Sequence, residues 1–351
     1  MAGESSEFGE LHDELRAVAV DLLAKGDAGS HVAWPVLAQL GWTGLEVPDT
    51  LGGAGATFAE VAVILEQLGR AAASTSYVGG AVLGVSALNL LQPTVFRDEL
   101  LEQVAVGTAR LAVVVDPGFE ITTSAGGLKL SGRAEFVPDA GEAERLLLLA
   151  GDPSGIPVIV AADVAELDVT AQPVLDDTRS FAAVAAADVS VTESSVWAFE
   201  GDAHTAVGAL TDRAALAIAC DSLGLSEAML AATVSYTAVR QQFGRPIGSF
   251  QAVKHACAAM MVQIAMSRQL VGAAVDAVTD GRPDAGTAVS MAKSYACSAA
   301  VEVVGKAMQL HGGIGYTWES GVHVYLKRAA LNRALFGSPA AHRRRLAQRY
   351  R

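Results

Sequence analysis

The spacing of apolar residues changes twice along the chain, and these changes constrain the fold more than any other feature. From Glu7 to about Gln103, apolar residues recur every three or four positions, which is the spacing of amphipathic helices. Between Arg110 and Ala198 they form short runs separated by Gly, Pro and Asp, which predicts strands. After Gly201 the helical spacing returns and persists nearly to the last residue.

This order predicts a mainly α fold with a small β domain. We expect an N-terminal helical domain over residues 1–107, a middle β-barrel domain over 108–200 and a C-terminal four-helix bundle over 201–351. The predicted strands lie within residues 113–115, 119–122, 128–130, 146–149, 158–161 and 182–191. The predicted helices cover residues 33–40, 58–68, 79–91, 203–239, 251–279, 284–310 and 322–335.

Composition and charge exclude several classes of protein. Hydrophobic residues make up 51% of the 351 residues and charged residues 18%, which is enough apolar material for a large core and excludes a disordered chain. Lys and Arg number 25 against 38 Asp and Glu, giving a net charge of −13. That balance argues against nucleic acid or an anionic membrane as a partner.

Cysteine usage and the lack of long apolar runs predict a soluble, cytoplasmic protein. Cys220, Cys257 and Cys297 are odd in number and widely spaced, so they indicate neither a disulfide framework nor a metal site. No uninterrupted apolar run approaches the roughly 20 residues that cross a bilayer. The N-terminal segment lacks the basic start of a signal peptide.

The first segment whose residues could bind a ligand runs from Arg240 to Ile247 and reads Arg-Gln-Gln-Phe-Gly-Arg-Pro-Ile. It follows a predicted helix, and Gln251 opens the next one. A fixed cation, two amides and the aromatic ring of Phe243 can hold a pyrophosphate and pack against a flat ring. A helix hairpin with polar turn residues is the alternative, and the residues alone leave both open.

The second segment runs from Gln309 to Gly315 and reads Gln-Leu-His-Gly-Gly-Ile-Gly. Gly312 and Gly313 would let the backbone approach a ligand and expose N–H groups to it. No strand precedes them, which excludes a Rossmann fingerprint. A plain turn between two helices is the alternative here.

Together the two segments resemble the C-terminal signatures of the acyl-CoA dehydrogenase family. Their separation is also similar to that family, as are residues 40–42, 47–48, 51–55 and 66–70 of the first domain. The resemblance covers essentially the whole chain. It implies helical domains on either side of a β domain, with FAD lying between domains and across a subunit contact.

The resemblance also implies roles for individual residues. Arg240 would contact the FAD pyrophosphate, Phe243 would lie beside the cofactor, and Gln251 would hydrogen-bond toward it. Such a site needs at least a dimer, because the adenine end would come from the adjacent subunit. The residues that would receive it are Gln309, Gly312 and Gly313.

Two segments of the β domain depart from the family's pattern. The family has Thr-Glu-Pro-Gly-Ala-Gly-Ser-Asp, which touches flavin and thioester, where this chain has Val-Asp-Pro-Gly-Phe-Glu over residues 115–120. The family has Trp-Ile-Thr-Asn beside the flavin ring, where this chain has Phe136-Val137-Pro138-Asp139. Because Pro138 has neither a hydroxyl nor an N–H, we expect an incomplete flavin site in this subunit.

The family's catalytic base is missing as well. The reaction removes an α-proton from a CoA thioester while hydride leaves for the flavin, and a carboxylate is the natural base. At the two positions where members of the family carry it, this chain has Phe336 and Ala214. Two acids remain within reach, Asp212 and Asp221. Asp212, with Arg213 beside it, is better explained by a first helical turn or a surface pair, so Asp221, within an apolar helical run, is the candidate. The alternative for Asp221 is a buried acid paired with an arginine or a backbone group.

The resemblance implies FAD-dependent α,β-dehydrogenation of an acyl-CoA thioester, with an electron-transfer flavoprotein as acceptor. Some members, as in bacterial steroid side-chain degradation, are unequal pairs in which one subunit carries the base and a shorter one completes the assembly. The missing base and altered loop predict that this chain is the shorter subunit of an α2β2 heterotetramer, with self-association as the other assembly. A non-catalytic structural subunit and an oxygen-using flavoprotein on the same fold remain alternatives.

Overall fold

The computed structural model describes residues 4–124 and 126–348. The α-helices in this part of the chain are α1 (Glu4–Leu23), α2 (Trp34–Gln39), α3 (Phe58–Arg70), α4 (Val85–Asn89), α5 (Val95–Ala105), α6 (Ala203–Val239), α7 (Gln251–Thr279), α8 (Ala285–His311), α9 (Val322–Ala334) and α10 (Pro339–Gln348). The strands are β1 (Leu111–Ser124), β2 (Gly127–Pro138), β3 (Arg145–Gly151), β4 (Pro157–Asp163), β5 (Asp168–Ala171), β6 (Phe181–Val191), β7 (Val196–Ala198), β8 (Gln241–Gln242) and β9 (Arg245–Pro246). The predicted order of helices, sheet and helices is confirmed.

The chain forms two compact units, each built from separate segments. The first contains residues 4–31, Phe58–Ala73 and 215–348, and the second contains Val32–Thr57 and Ser74–Ala214. The N-terminal helices therefore contribute to both units: α1 and α3 to the first, and α2, α4 and α5 to the second. The division into three consecutive domains stays a prediction.

The second unit is built around one seven-stranded sheet of order β5-β6-β2-β1-β3-β4-β7. The β1–β3 pair is parallel, and the other pairs are antiparallel. Alternate residues such as Val114, Leu130 and Val184 form its buried core. No pairing joins the end strands β5 and β7 within the described residues, so the predicted barrel is a sheet that hydrogen bonds do not close.

Strand β1 joins two runs that the sequence predicts as separate strands. Val114 pairs with Leu148, but the next pair along β1 is Phe119 with Ala150, so residues 115–118 bulge out of the ladder. Pro117 explains the bulge, because it has no N–H to donate to a neighbouring strand.

The helix predicted over residues 79–91 is irregular. Its first part, Val78–Gly84, is a π-helix, and only Val85–Asn89 is α-helical. Every residue of the π-helical part is buried. Gly79 packs against Asp139 of the same unit, since its N–H donates to Asp139 Oδ2 at 2.9 Å.

The first unit is a helical bundle, and its longest helices follow the sequence prediction closely. Helices α6 and α7 have the predicted bounds. Helix α3 crosses α6 in direct backbone contact: a Cβ on Gly69 would collide with the carbonyl of Asp221, and one on Gly224 with the carbonyl of Glu66. This contact is the close helix packing that small residues permit.

Two helices are long and apolar enough to cross a membrane by length and composition. The most apolar window of α6 is 78% buried inside the protein, and that of α7 is 33% buried. Scattered polar residues interrupt the apolar runs of both helices, so a search for uninterrupted apolar runs does not detect them. The buried window of α6 marks it as a core helix.

Candidate cofactor site

The two sequence motifs follow two helices whose C-terminal ends are adjacent in the first unit. The ring of Tyr236 in α6 stacks on that of His311 in α8, with centroids 4.6 Å apart and planes 19° from parallel. His311 Nδ1 is within 2.8 Å of the Ala307 carbonyl, one turn earlier. Because Arg240 follows α6 and Gly312 follows α8, the stack brings both motifs to the same end of the bundle.

The first motif, residues 240–247, contains a small β-hairpin. Strands β8 and β9 pair around a turn in which Phe243 and Gly244 have φ values of +54° and +77°. Phe243 is 90% exposed, and it meets the ring of Phe250 edge-on at 6.1 Å. The guanidinium of Arg245 lies 4.1 Å from the centre of the Phe250 ring. An exposed aromatic residue in the left-handed region is costly, and such features point to contact with a ligand or another chain.

The polar groups predicted to meet the cofactor lie beside this hairpin. The Arg240 carbonyl accepts a hydrogen bond from Ile247 N at 2.8 Å, which fixes the loop, while the Arg240 side chain is exposed and has no ion pair within the described residues. Gln251, also exposed, is the first residue of α7. The N–H groups of a first helical turn have no partner inside the helix and favour anions.

The glycine turn presents open backbone. Gly312 has a φ of +63°, and a Cβ on Gly312 or Gly313 would meet nothing within 4 Å. Gln309 Oε1 accepts a hydrogen bond from Lys306 Nζ at 2.8 Å, so its NH2 group is oriented to donate to another acceptor. None of the described residues would contact a Cβ on either glycine.

Two aromatic residues beside the turn were not singled out from the sequence. Tyr316 and Trp318 are 70% and 75% exposed. The Trp318 ring contacts His323 at 4.4 Å and Lys327 Nζ at 5.3 Å. Aromatic residues directly after a glycine cluster were the available signal, because large apolar rings are seldom left exposed without a contact to make.

This end of the bundle fits the pyrophosphate and adenine part of FAD. It offers an exposed guanidinium, a helix N-terminus, an amide donor and open glycine backbone, which are the groups that phosphate and adenine require. The flavin ring needs different contacts, and these fall in the second unit.

The segment that replaces the family's flavin loop is part of strand β1 and packs closely against β2. Gly118, in the bulge of β1, packs against β2: a Cβ on it would lie 2.5 Å from the Arg133 carbonyl. A Cβ on Gly132 of β2 would in turn collide with the Gly118 carbonyl. The two strands therefore touch through their backbones at this position.

The second flavin-contacting segment has no free backbone donor at Phe136 or Pro138. The N–H of Phe136 donates to Gln172 Oε1 at 2.6 Å, and the Gln172 amide donates to Glu135. Pro138 pairs with Phe181 of the neighbouring strand β6 and carries no N–H. The ring-binding half of a flavin site does not fit the second unit of this chain, in agreement with the departures in its sequence.

Asp221 is held in a buried ion pair. It is 1% exposed, and Arg328 donates to its two oxygens from Nε at 3.1 and 3.2 Å and from a terminal nitrogen at 2.5 Å. Asn332 Nδ2 donates to it at 2.6 Å. A carboxylate neutralised by a bidentate guanidinium is a poor proton acceptor. The structure places Asp221 in the arrangement of the alternative, a buried acid paired with an arginine, and its role as base stays a prediction that this pairing disfavours.

The two positions of the family's base carry no acid, and both are packed. Ala214 is fully buried. Phe336 has a φ of +51°, and its carbonyl accepts a hydrogen bond from His342 Nε2 at 3.0 Å. The next carbonyl, that of Gly337, accepts one from Lys293 Nζ at 3.1 Å. Structural hydrogen bonds thus hold the segment where a C-terminal base would stand.

Lys293 itself is fully buried and was not identified from the sequence. Its Nζ also donates to the Asn332 carbonyl at 2.9 Å. Burial lowers the pKa of its amine, against a smaller opposite effect of Cys297. Burial likewise raises the pKa of the Cys297 thiol, which lies 3.3 Å from Ser222 Oγ. This polar network joins α8, α9 and α6 inside the bundle.

In the second unit, Glu46 and Arg213 form a largely buried ion pair. Arg213 directly precedes Ala214, one of the two positions of the family's base. Burial, and then the charge of Glu46, raise the pKa of Tyr77. Because Arg213 holds Glu46, this carboxylate also has a structural partner in place of a catalytic one.

Sequence comparisons define the class of protein. The family described as "Acyl-CoA dehydrogenase, C-terminal domain" matches residues 204–350. The family described as "Acyl-CoA dehydrogenase, N-terminal domain" matches residues 9–107. The first match contains every residue predicted to contact the cofactor.

Individual relatives agree with the family match. Acyl-CoA dehydrogenase IpdE2 of Mycolicibacterium smegmatis is 33% identical over 320 residues, which cover 89% of this chain and 86% of that protein. The solved steroid acyl-CoA dehydrogenase Tcur3481-Tcur3483 superposes with a TM-score of 0.83 at 27% identity, over 98% of this chain and 97% of that one. The ChsE4-ChsE5 complex of Mycobacterium tuberculosis shares the fold, with a TM-score of 0.87 at 23% identity and 97% of both chains covered. The chain belongs to the acyl-CoA dehydrogenase family, and its predicted enzyme class is confirmed.

Proposed function

We propose that this chain is the subunit of a heteromeric, FAD-dependent acyl-CoA dehydrogenase that carries no catalytic base. The end of its bundle binds part of a flavin cofactor whose ring lies in a homologous partner subunit. Arg240 would hold the pyrophosphate, Phe243 would cover the cofactor, and Gln251 would donate a hydrogen bond to it. The residues that would hold the adenine end are Gln309, Gly312 and Gly313.

One observation carries this proposal: the two halves of the flavin site differ within the same chain. The bundle half is open and exposed, with Phe243 90% exposed and no atom within 4 Å above Gly312 or Gly313. The ring half lacks the family's polar contacts, because Pro138 has no N–H and the Phe136 N–H already donates to Gln172. A chain that kept only one half of the site needs another chain for the rest.

One cavity of the second unit lacks the basic side chains that would favour acyl-CoA binding in this subunit. It holds about 570 Å³ beside β1 and the start of α6. Glu120 and Asp152 line it, and among its described lining residues only His204 is basic. The phosphates of CoA require lysine or arginine, so we assign the acyl-CoA to the partner subunit.

The relatives support a heteromer and a steroid-type acyl group. The names ChsE4-ChsE5 and Tcur3481-Tcur3483 each pair two proteins, and the second is described as a steroid acyl-CoA dehydrogenase. The half-site argument requires a partner subunit, and we propose that the two form an α2β2 assembly. We further propose that the complex works in the cytoplasm and passes electrons to an electron-transfer flavoprotein.

The experiment compares flavin retention by the complex with wild-type chain and with Arg240→Ala. Losing one charged contact to a phosphate costs about 1.5–3 kcal/mol, so FAD affinity should fall by about tenfold to a hundredfold. Arg282→Ala is the matched control, because Arg282 lies elsewhere on the bundle and pairs with Asp284 at 2.8 Å. If the complex with Arg240→Ala retains as much flavin as the complex with the control Arg282→Ala, the proposal is contradicted.

The two alternatives have their own outcomes in the same preparation. A complex in which no variant of this chain alters flavin retention supports a purely structural subunit. Anaerobic bleaching of the flavin by an acyl-CoA supports dehydrogenation, whereas reduction that requires another donor, followed by oxygen consumption, supports an oxygen-using flavoprotein.

A further inference from the structure

A separate cavity of the second unit lies between helix α5 and the sheet. It holds about 250 Å³, and its described lining residues are distinct from those of the candidate cofactor site and of the cavity beside α6. Helix α5 lines it with Phe96, Glu99, Leu100 and Gln103, whose spacing places them on one face of the helix. Sites for drug-sized ligands hold roughly 300–1,000 Å³. This cavity is therefore too small for FAD or acyl-CoA and suits a molecule about as large as one amino acid.

The floor of the cavity is apolar and fixed. Leu100 and Trp197 line it and are only 4% and 6% exposed. The indole N–H of Trp197 donates to the Ser194 carbonyl at 2.8 Å, which uses the only donor of this side chain. Phe96 lines the same cavity and is 58% exposed. Two aromatic side chains at one small cavity favour a ligand with a flat apolar group.

The polar groups of the cavity include one charge of each sign. Arg145, the first residue of β3, makes one loose ion pair with Asp163 at 3.4 Å, and a guanidinium has five N–H donors. The Glu99 carboxylate and the Gln103 amide have no hydrogen bond or ion pair within residues 4–124 and 126–348. A ligand with a single charge leaves either Arg145 or Glu99 unmatched, whereas a zwitterion matches both.

We propose that this cavity binds a free aromatic α-amino acid. The ligand's carboxylate accepts hydrogen bonds from Arg145, its ammonium group donates to Glu99, and its ring packs between Trp197 and Phe96. The end of a peptide carries only one of the two charged groups beside its ring, so the two opposite charges of the cavity favour the free amino acid. This site does not depend on the proposed function, because the residues that carry it take no part in cofactor binding.

A ligand series tests this chemistry without changing the protein. L-Phenylalanine, L-phenylalaninamide, N-acetyl-L-phenylalanine and L-leucine are titrated into the full chain by isothermal titration calorimetry. The amide lacks the carboxylate and the acetyl compound lacks the ammonium group, so each should bind about tenfold or more weakly than L-phenylalanine. L-Leucine lacks the ring and should bind about fivefold more weakly. Equal affinities for the four compounds, or no saturable binding of L-phenylalanine up to about 10 mM, would overturn the proposal.

Two variants assign the charged groups. Glu99→Gln should weaken L-phenylalanine binding about tenfold to a hundredfold and should not weaken binding of N-acetyl-L-phenylalanine, which has no ammonium group. Arg145→Ala should remove the difference in affinity between L-phenylalanine and its amide. The control is Arg133→Ala, since this arginine pairs with Glu135 at 2.6 Å on the same sheet and does not line the cavity.

Because the prediction concerns selectivity between ligands, partial unfolding of a variant cannot imitate it. Circular dichroism reports the folded fraction of each protein. Loss of both ligands to the same extent in folded Glu99→Gln, or wild-type selectivity in folded Arg145→Ala, would contradict the assignment.

Discussion

The stacked rings of Tyr236 and His311, 4.6 Å apart, join the two helix ends from which the cofactor-binding motifs extend. The motifs are far apart in sequence, and this contact gives them a common position on the bundle. The glycine turn after His311 and Arg240 after α6 therefore lie at the same end of the bundle. Gln251 joins them, because the loop after Arg240 leads directly to the start of α7. The candidate site is thus a property of the folded bundle and not of either motif alone.

Tyr236→Ala should weaken flavin retention by the complex without unfolding the chain. An aromatic pair contributes about 0.5–1.5 kcal/mol beyond its buried area, so the bundle should stay folded without it. Loss of the stacked ring should instead let the two helix ends shift relative to each other. We expect flavin affinity to fall at least about fivefold, measured by fluorescence titration. Tyr236→Phe keeps the stacked ring and serves as the control. If both variants bind flavin alike, the stack does not organise the site.

Asp221→Asn should reduce stability and leave turnover intact. Removing one charge of a buried pair leaves Arg328 uncompensated, which costs about 3–5 kcal/mol, as urea unfolding would report. The exposed pair of Arg282 with Asp284 supplies the control, and Asp284→Asn should cost less than about 1 kcal/mol. Turnover per folded complex that collapses with Asp221→Asn would restore this residue as the base.

Lys293→Met should change how stability depends on pH. The folded-state pKa of Lys293 is lowered by burial from its ordinary value of 10.5. At a pH between the lowered pKa of the folded state and 10.5, Lys293 binds its proton in the unfolded chain but not in the folded one. The contribution of Lys293 to stability therefore rises with pH in that range. The wild-type chain should gain stability relative to Lys293→Met as the pH rises toward 10.5. Parallel curves for the two proteins would contradict a lowered pKa.

Gly224→Ala should destabilise the first unit. The new methyl group would collide with the Glu66 carbonyl across the α3–α6 contact, and overpacking of this kind costs about 1–3 kcal/mol. Gly305→Ala in α8 is the matched control, because a Cβ there meets nothing within 4 Å. Ala is the better helix former, so the control should gain up to about 1 kcal/mol. Equal unfolding free energies would mean that the helices separate readily.

The long bundle helices were predictable because their signal is local. Unbroken helical spacing gave α6 and α7 their bounds, and glycine and proline marked the turns between them. The pairing of β1 was less accessible: its two halves look like separate strands, and only the neighbouring strand β3 shows that residues 115–118 are a bulge in one strand.

The fate of Asp221 could not be predicted, because its partner lies 107 residues away. An acid in an apolar run is compatible with a base and with a buried ion pair, and only tertiary contact separates the two. The same holds for Lys293, whose acceptors at Asn332 and Gly337 are backbone carbonyls with no sequence signal at all.

The exposed glycine turn shows the opposite case. Gly312 and Gly313 could be identified from the sequence as positions where backbone approaches a ligand, and the structure leaves them open. The missing donor at Pro138 was also foreseeable from the sequence. The bonded N–H of Phe136 was not, because Gln172 is remote from Phe136 in sequence and accepts through its side chain.

The flavin content of the purified chain, alone and in complex with its partner subunit, tests the central claim most directly. The absorbance of bound flavin is measured against chain concentration, with the mass of each species recorded. We expect a colourless chain alone and about one flavin for each pair of this chain and its partner, because each chain supplies one half of a site. A full equivalent of flavin bound by the chain alone would contradict the half-site account.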